Sequence, residues 1–449
     1  MDIHIRAASA SNQAMDVQVQ RTFVIPAPPS EPSSEAPLTV FDLVAPTYHV
    51  TVLFAFTPPN PTNAALVDAL AATLPRFPLL TARLDRSRGR PFFVTGGGGG
   101  AGALVAEAAV SSPLSDHLPL APSPDLARLH APVDEDTPHM LRLHINRFAC
   151  GGLVIASSAH HQAADGYSMS AFFHAWIDAV RAHGAPPLDG PVPYGPAVLA
   201  PRRPPRCEFE HRGAEFLPMD GGAGGRPPPV RVDPSEITNM LLHYTSEFVA
   251  ELKASVQNRY TTFETISAHL WRKITVARGR SDDAARTALH VAVNGRARLG
   301  PDDAVPRGFF GNVVLTASSE TSARCLASGS LADAAALVRA GVRAVDRRYF
   351  QSFIDFGALH GDEELEAVVR DEGGTLLPDV EADSWLHLEL HRMDFGCGGR
   401  LAGVLPAKVP QDGVVVLMPN LRKRGDVDVF VALWEKHAKE LRSIAYTMD

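Results

Sequence analysis

Apolar and polar positions follow two rhythms along this chain. The first is the short, unbroken apolar run. Val50 to Phe56, Gly151 to Ala159, Leu289 to Val293, Phe309 to Leu315 and Gly413 to Met418 are of this kind. Runs of this length, rich in branched and aromatic residues, predict buried strands, and Val17 to Gln20 and Met140 to Phe148 add two more. The second rhythm is helical. Leu66, Leu70 and Leu74 share one face of a segment beginning at Asn63. Met169, Phe172, Phe173, Trp176 and Val180 do the same after Gly166. Ser246 to Val256, a segment capped by Thr261 or Thr262 and running to Arg272, and the alanine-rich Leu331 to Asp346 complete the helical set. Val427 to Tyr446 reads as a closing amphipathic helix or a strand–helix pair. Strands and helices alternate in both halves, which predicts an α/β protein.

Breaks in these rhythms suggest the joints. Gly96 to Gly100 has no helix after it and no Lys-Ser/Thr, so it reads as a flexible hairpin loop rather than a phosphate cradle. From about His183 to Pro234 the composition shifts to Pro, Gly and Arg. This predicts a first domain over 1–182, a crossover linker over 183–236 and a second domain over 237–449. Within the linker, the charged stretch Cys207 to Phe216 reads as a solvated connector. A length of 449 residues suits two or three domains. A net charge of −8 argues against nucleic acid or an anionic membrane as the main partner. Cys150, Cys207, Cys325 and Cys397 are too scattered for a metal or redox pair. The stretch Met1 to Gln20 is polar, and no apolar run reaches the roughly 20 residues a spanning helix needs. A cytoplasmic location is therefore expected.

The stretch with candidate chemistry is His160-His161-Gln162-Ala163-Ala164-Asp165-Gly166, where a buried strand gives way to a helix. Such a junction opens onto a crevice, which suits a catalytic base. Taken alone, His-x-x-x-Asp fits either a base or a hydrogen-bonded core histidine. If the strand pattern continued, His161 would share a face with Leu153 and Ile155, and His160 would point the other way as a structural residue. Far downstream lies Asp394-Phe395-Gly396-Cys397-Gly398. Asp-Phe-Gly also opens the metal-holding motif of protein kinases, but the other kinase motifs are missing from the sequence.

Together these two stretches resemble the BAHD family of plant coenzyme-A-dependent acyltransferases. That family carries His-x-x-x-Asp-Gly mid-chain and Asp-Phe-Gly-Trp-Gly near the C-terminus, with Cys397 here in place of Trp. The resemblance implies two chloramphenicol-acetyltransferase-like domains with mixed sheets and an active-site channel at their interface. It implies His161 as general base. It implies that Asp165 turns away from His161 and pairs with Arg296, in Asn294-Gly295-Arg296-Ala297-Arg298. Asp165, Gly166, Arg296, Asp394, Phe395 and Gly396 are then structural. Gly308-Phe309-Phe310-Gly311-Asn312 matches a Tyr-Phe-Gly-Asn segment near the coenzyme, so Gly311 and Asn312 are expected there, with Phe309 replacing Tyr. Thr262, Ser267, Lys253 and Arg278 are coenzyme-side candidates by position. Acyl-CoA is a co-substrate, and no permanently bound cofactor or metal is implied.

Glu208 to Phe216, Tyr349 to Phe356 and Glu381 to Leu386 further resemble the grass enzymes of this family that acylate agmatine, putrescine or tryptamine. His387 stands where shikimate- and quinate-directed members usually carry Arg. Asp379, Glu381 and Asp383 alternate, so in a strand they share one face. Glu381 and Asp383 are the candidates to hold the distal cation of an amine acceptor, and a solvated acidic loop is the alternative. Ser384 or Trp385 is the candidate donor to the oxyanion. The expected activity is transfer of a hydroxycinnamoyl or benzoyl group to a primary amine by a monomer. O-acylation of an alcohol such as shikimate is the alternative, and a metal-dependent hydrolase using His160, His161 and Asp165 is a rival from another class.

Overall fold

The computed structural model describes residues 15–28, 33–130, 137–184, 190–218, 230–300, 304–368 and 374–448. The first half runs β1 (Val17–Ile25), β2 (Ser34–Pro37), α1 (Val40–Leu43), β3 (His49–Phe56), α2 (Asn63–Thr73), β4 (Arg83–Asp85), β5 (Phe92–Thr95), β6 (Ala103–Val110), β7 (Leu141–Phe148), β8 (Leu153–His160) and α3 (Gly166–Arg181). The second continues with β9 (Ile237–Tyr244), α4 (Ser246–Ser255), α5 (Thr262–Ala277), β10 (Arg286–Asn294), α6 (Arg296–Leu299), β11 (Val314–Ser322), α7 (Ala323–Ser328), α8 (Leu331–Ala344) and α9 (Arg347–Leu359). It closes with β12 (Val380–Ser384), β13 (Leu401–Pro406), β14 (Val414–Pro419), β15 (Val427–Trp434) and α10 (Glu435–Ile444).

The strands form two six-stranded sheets, ordered β1-β6-β7-β8-β3-β13 and β11-β10-β12-β14-β15-β9, and a small sheet β2-β5-β4. Both large sheets are mixed. β6 and β7 pair in parallel in the first, as do β10, β12 and β14 in the second. The two sheets are the centres of the two halves, but sheet membership does not follow the chain order. β13 comes from the second half and pairs with β3 as the last strand of the first sheet. Leu53, Ala55, Val154 and Ala156 of the first sheet share one apolar cluster with Val414, Val416, Phe430 and Ala432 of the second. Alternate residues of the same strands, such as Phe54, Ile155, Val415 and Val431, belong instead to the cluster that includes α3 and α5. Period-two alternation thus separates an inter-sheet face from a helix-covered face.

Several expectations need correction. Gly96 to Gly100 is a turn, but β5 and β6 lie in different sheets, so it is not a hairpin. Phe309 to Val313 is buried without being a strand, and β11 starts only at Val314. The segment Cys207 to Phe216 is not a solvated connector. His211 and Phe216 are fully buried against α9, whose apolar face they cover. The Phe216 ring stacks on Phe353 and Phe356, with centroids 5.9 and 5.5 Å apart. His211 bridges Glu215 and Ser352, at 3.0 Å on each ring nitrogen. Tyr349 donates to the same Glu215 at 2.6 Å. A stretch rich in charge is dry here because the partners that satisfy it lie about 140 residues downstream. The prolines at 186–187 and 227–229 fall outside the described residues. Among the described residues, no helix is long and apolar enough to cross a membrane.

Candidate active site

β8 stops at His160, and His161 opens a single 3-10 turn that ends at Ala163. The strand alternation therefore lapses before His161, whose direction comes from the turn rather than from parity with Leu153 and Ile155. Its N–H donates to the Tyr48 carbonyl at 3.0 Å. Its ring is half-buried: Nδ1 is enclosed, which leaves Nε2 as the accessible nitrogen. Burial pulls the His161 pKa below its ordinary value, and the nearby Asp165 charge only partly opposes this. The ring is thus neutral at neutral pH, as a base must be. His160 keeps its strand position, buried edge-on to His49 with centroids 5.1 Å apart. Burial holds it neutral, with a pKa of about 3.

Asp165 caps α3. Its Oδ1 accepts the Ser168 N–H at 2.9 Å. Its Oδ2 accepts Arg296 Nη1 at 2.7 Å and the Val313 N–H at 3.0 Å. Burial alone would raise this carboxyl, but the Arg296 guanidinium and the N–H donors hold it below the usual carboxylate range. With both oxygens taken up by these donors, the side chain has no role as a relay to His161 or as a metal ligand. Arg296 Nη2 also donates to Ser168 Oγ and the Gly311 carbonyl, each at 3.0 Å. Asn294 Oδ1 accepts the Arg296 N–H at 3.0 Å. Gly311 has φ 144°, and a Cβ there would lie 3.0 Å from the Phe309 ring.

A second buried knot lies on the other side of the turn, and sequence reasoning missed it. Asp42 accepts the Thr39 N–H and Oγ1 in a capping box at the start of α1. Its other oxygen accepts Asn312 N–H at 3.1 Å and Nδ2 at 2.9 Å. Asn312 Nδ2 also reaches the carbonyls of His161, at 2.9 Å, and Gln162, at 3.2 Å. The Thr-x-x-Asp spacing was the available signal for the cap. Nothing local tied it to position 312. Burial raises the Asp42 pKa, against these four donors.

The acidic residues around β12 have different fates. Asp379 is engaged: Oδ1 accepts the Ala288 N–H at 2.7 Å, and Oδ2 lies 3.3 Å from His290 Nε2. Glu381 and Asp383 are half-buried on one strand face. Asp383 Oδ1 and Ser384 Oγ are enclosed without hydrogen-bond partners. Burial pushes the Asp383 pKa up to about 6. After Ser384 the chain turns through Trp385, and Leu388 packs against Gly166, where a Cβ would come within 3.1 Å. The Leu388 carbonyl accepts Ser170 Oγ. The tip of β12 is thereby fastened to the start of α3, the helix that follows His161.

The other candidates lie elsewhere. Thr262 opens α5 half-buried, and Ser267 is deep in that helix with Oγ unpartnered. Neither hydrogen-bonds to the His161 turn. Lys253 lies in the last turn of α4, half-buried. Arg278 is not available to a coenzyme phosphate. It is buried, with Asp412 at 2.6 Å and the carbonyls of Pro378 and Asp379 at 3.0 and 2.8 Å. Asp394 accepts the Gly396 N–H at 2.8 Å, and Gly396, at φ 74°, lies beside Arg181. Phe395 packs on Phe56 with centroids 4.8 Å apart. Arg181 ends a helix of 16 residues, so this motif sits roughly 24 Å along α3 from the His161 end.

The Transferase family model matches residues 15–448. Tryptamine hydroxycinnamoyltransferase 2 of Oryza sativa subsp. japonica is 39% identical over 419 residues, covering 92% of this chain and 93% of that protein. Agmatine coumaroyltransferase-1 of Hordeum vulgare is 34% identical over 428 residues, with coverage of 92% and 93%. Among solved structures, F. sporotrichioides TRI101 complexed with coenzyme A and T-2 superposes with a TM-score of 0.68 at 16% identity, covering 91% of this chain and 97% of that one.

Proposed function

Because the chain belongs to the Transferase family of BAHD acyltransferases, we propose that it moves a hydroxycinnamoyl or benzoyl group from a coenzyme A thioester to a primary amine. The acceptors are agmatine, putrescine or an arylamine such as tryptamine, the amines named for its relatives. The observation that carries the mechanism is the state of His161: neutral, with Nε2 open and its turn braced by residues from both halves. Nε2 takes a proton from the amine nitrogen as that nitrogen attacks the thioester carbon. The carbonyl oxygen gains negative charge, and Ser384, whose Oγ lacks a partner, or Trp385 donates to it. Collapse of the adduct expels the coenzyme A thiolate, which takes up the proton from His161. Gly311 and Asn312, beside the His161 turn, with Thr262 and Ser267 on α5, line the coenzyme side. Every group needed comes from one chain, so a monomer suffices. The free thiols of all four cysteines suit the cytoplasm.

For the acceptor, Asp383 and Glu381 supply the anionic handle. A charge-assisted hydrogen bond contributes about 1.5–3 kcal/mol, roughly 10- to 150-fold in binding. Asp383→Asn is therefore expected to raise KM for agmatine and putrescine by that factor while leaving tryptamine, which has no second cation, within about twofold. The test is coenzyme A release from p-coumaroyl-CoA with agmatine, putrescine, tryptamine and shikimate. Release with the amines supports the reading. Release with shikimate alone replaces N-acylation by O-acylation.

The pH dependence has a defined sign. Burial lowers the His161 pKa, so the base stays deprotonated below its ordinary value of 6.5. With saturating tryptamine, kcat is expected to be flat around neutrality and to fall only below that value, as His161 takes up a proton. An acidic limb above pH 7 contradicts the assignment.

A further inference from the structure

We propose that the crossover segment 202–216 acts on the active site from a distance, with Asp355 and Ser352 of α9 as positioning residues. α9 lies between two layers. On one side it holds the crossover segment by its main chain. Asp355, fully buried, accepts the Arg202 N–H and the Arg206 N–H, each at 2.8 Å, and Arg202 Nε at 2.6 Å. Ser352, also fully buried, accepts the Glu208 N–H at 2.9 Å and the Phe209 N–H at 3.2 Å. With two donors on its oxygen, its own proton is left for His211 Nε2, 3.0 Å away, and His211 donates from Nδ1 to Glu215. Bonds to backbone N–H groups fix where the segment runs, and not only what covers the helix. On the other side the same helix meets both braces of the His161 turn. Phe353 and Phe350 pack on Phe41, with centroids 5.1 and 6.1 Å apart, and Phe41 precedes Asp42, the anchor of Asn312. The Phe350 ring lies so close to Gly295 that no Cβ fits there, and Gly295 precedes Arg296, the partner of Asp165. Val40 closes on Gly357 in the same way, where a Cβ would lie 2.8 Å away. Phe41 belongs to the first half and Gly295 to the second, so α9 touches a brace from each. Phe353 joins the two layers, because its ring also meets His211 with centroids 5.1 Å apart. Phe41, Phe350 and Phe353 are fully buried, and a close-packed aromatic layer passes a displacement on instead of absorbing it. A shift of the crossover segment therefore becomes a shift of α9, and then of both braces.

The kinetic arm of the test rests on the acyl-transfer reading; the exchange arm does not. Asp355→Asn keeps the shape but turns an NH₂ toward N–H donors, so part of the crossover segment is released. Ser352→Ala removes the acceptor of Glu208 and Phe209. In each full-length variant, backbone hydrogen exchange read by mass spectrometry is expected to quicken over 202–216 and also over 39–43 and 294–299. With p-coumaroyl-CoA and the best amine, kcat should fall by about 10–10²-fold, the effect of a remotely misplaced catalytic group, with KM for acyl-CoA within about threefold. The rates are taken where a denaturant titration shows each variant fully folded, so a clamp that served stability alone would leave kcat unchanged. Phe350→Leu cuts the link to Gly295 and leaves the crossover bonds in place, so its loss in kcat and that of Asp355→Asn should not multiply. Quickening confined to 202–216, an unchanged kcat, or losses that multiply overturns the proposal. If Asp355→Asn fails to fold, Ser352→Ala decides by the same criteria. If the unaltered protein turns over none of the amines, the acyl-transfer reading fails, while the exchange pattern still decides whether the crossover segment governs both braces.

Discussion

Replacing His161 by alanine is expected to lower kcat by about 10²–10⁴-fold, the usual contribution of a general base. The effect should fall on turnover rather than on folding. The side chain is only half-buried, so little packing is lost. The backbone bonds that hold the turn, from the His161 N–H to Tyr48 and from Asn312 to the His161 carbonyl, do not involve the ring. Steady-state rates with the best amine acceptor, set beside a denaturant titration, separate the two effects. Turnover within a few-fold of the unaltered protein would remove the base from the mechanism.

Arg296→Ala should do the opposite and act first on stability. It leaves the Asp165 carboxylate buried beside a lost cation, and breaking such a pair costs about 3–5 kcal/mol. Ser168 Oγ and the Gly311 carbonyl lose a donor in the same step. Arg296→Lys should recover only part of this, because one ammonium cannot span Asp165, Ser168 and Gly311 as a planar fork does. Chemical denaturation measures the loss, and a double-mutant cycle with Asp165→Asn measures the coupling. Simple additivity would mean the pair is not a unit. Asp165 is held below its ordinary range, so this stabilisation is fully present at neutral pH. It is lost only as the pH falls below the usual carboxylate range and through the lowered value.

What was legible in the sequence was whatever depends on nearby residues. β3, β8, β14 and the long α3 declare themselves by apolar period, and α5 by its cap at Thr261 or Thr262. The motif residues His161, Asp165 and Arg296 were picked out by resemblance, and the fold brings their turn, helix cap and guanidinium together. What could not be read were partnerships over long separations. Asp42 meets Asn312 across 270 positions, and Arg278 meets Asp412 across 134. In a strand of charges such as Cys207 to Phe216, the pattern says polar and the fold says buried, because Ser352 and Tyr349 arrive to satisfy His211 and Glu215. Composition reports the cost of burial but not the partners that offset it.

The place of β13 bears on how the chain is made. As a ribosome releases the first half, β1, β3, β6, β7 and β8 can pair, yet β3 has nothing along its outer side until residue 406 emerges. Nearly 250 residues of synthesis separate the end of β8 from the end of β13. At 5–20 residues per second that is roughly 12–50 s. Throughout that interval the nascent chain presents an open, apolar strand edge, the feature most prone to wrong pairing between neighbouring polypeptides. Yield in a cell should therefore depend on translation speed and on chaperone supply more than the stability of the finished protein would suggest.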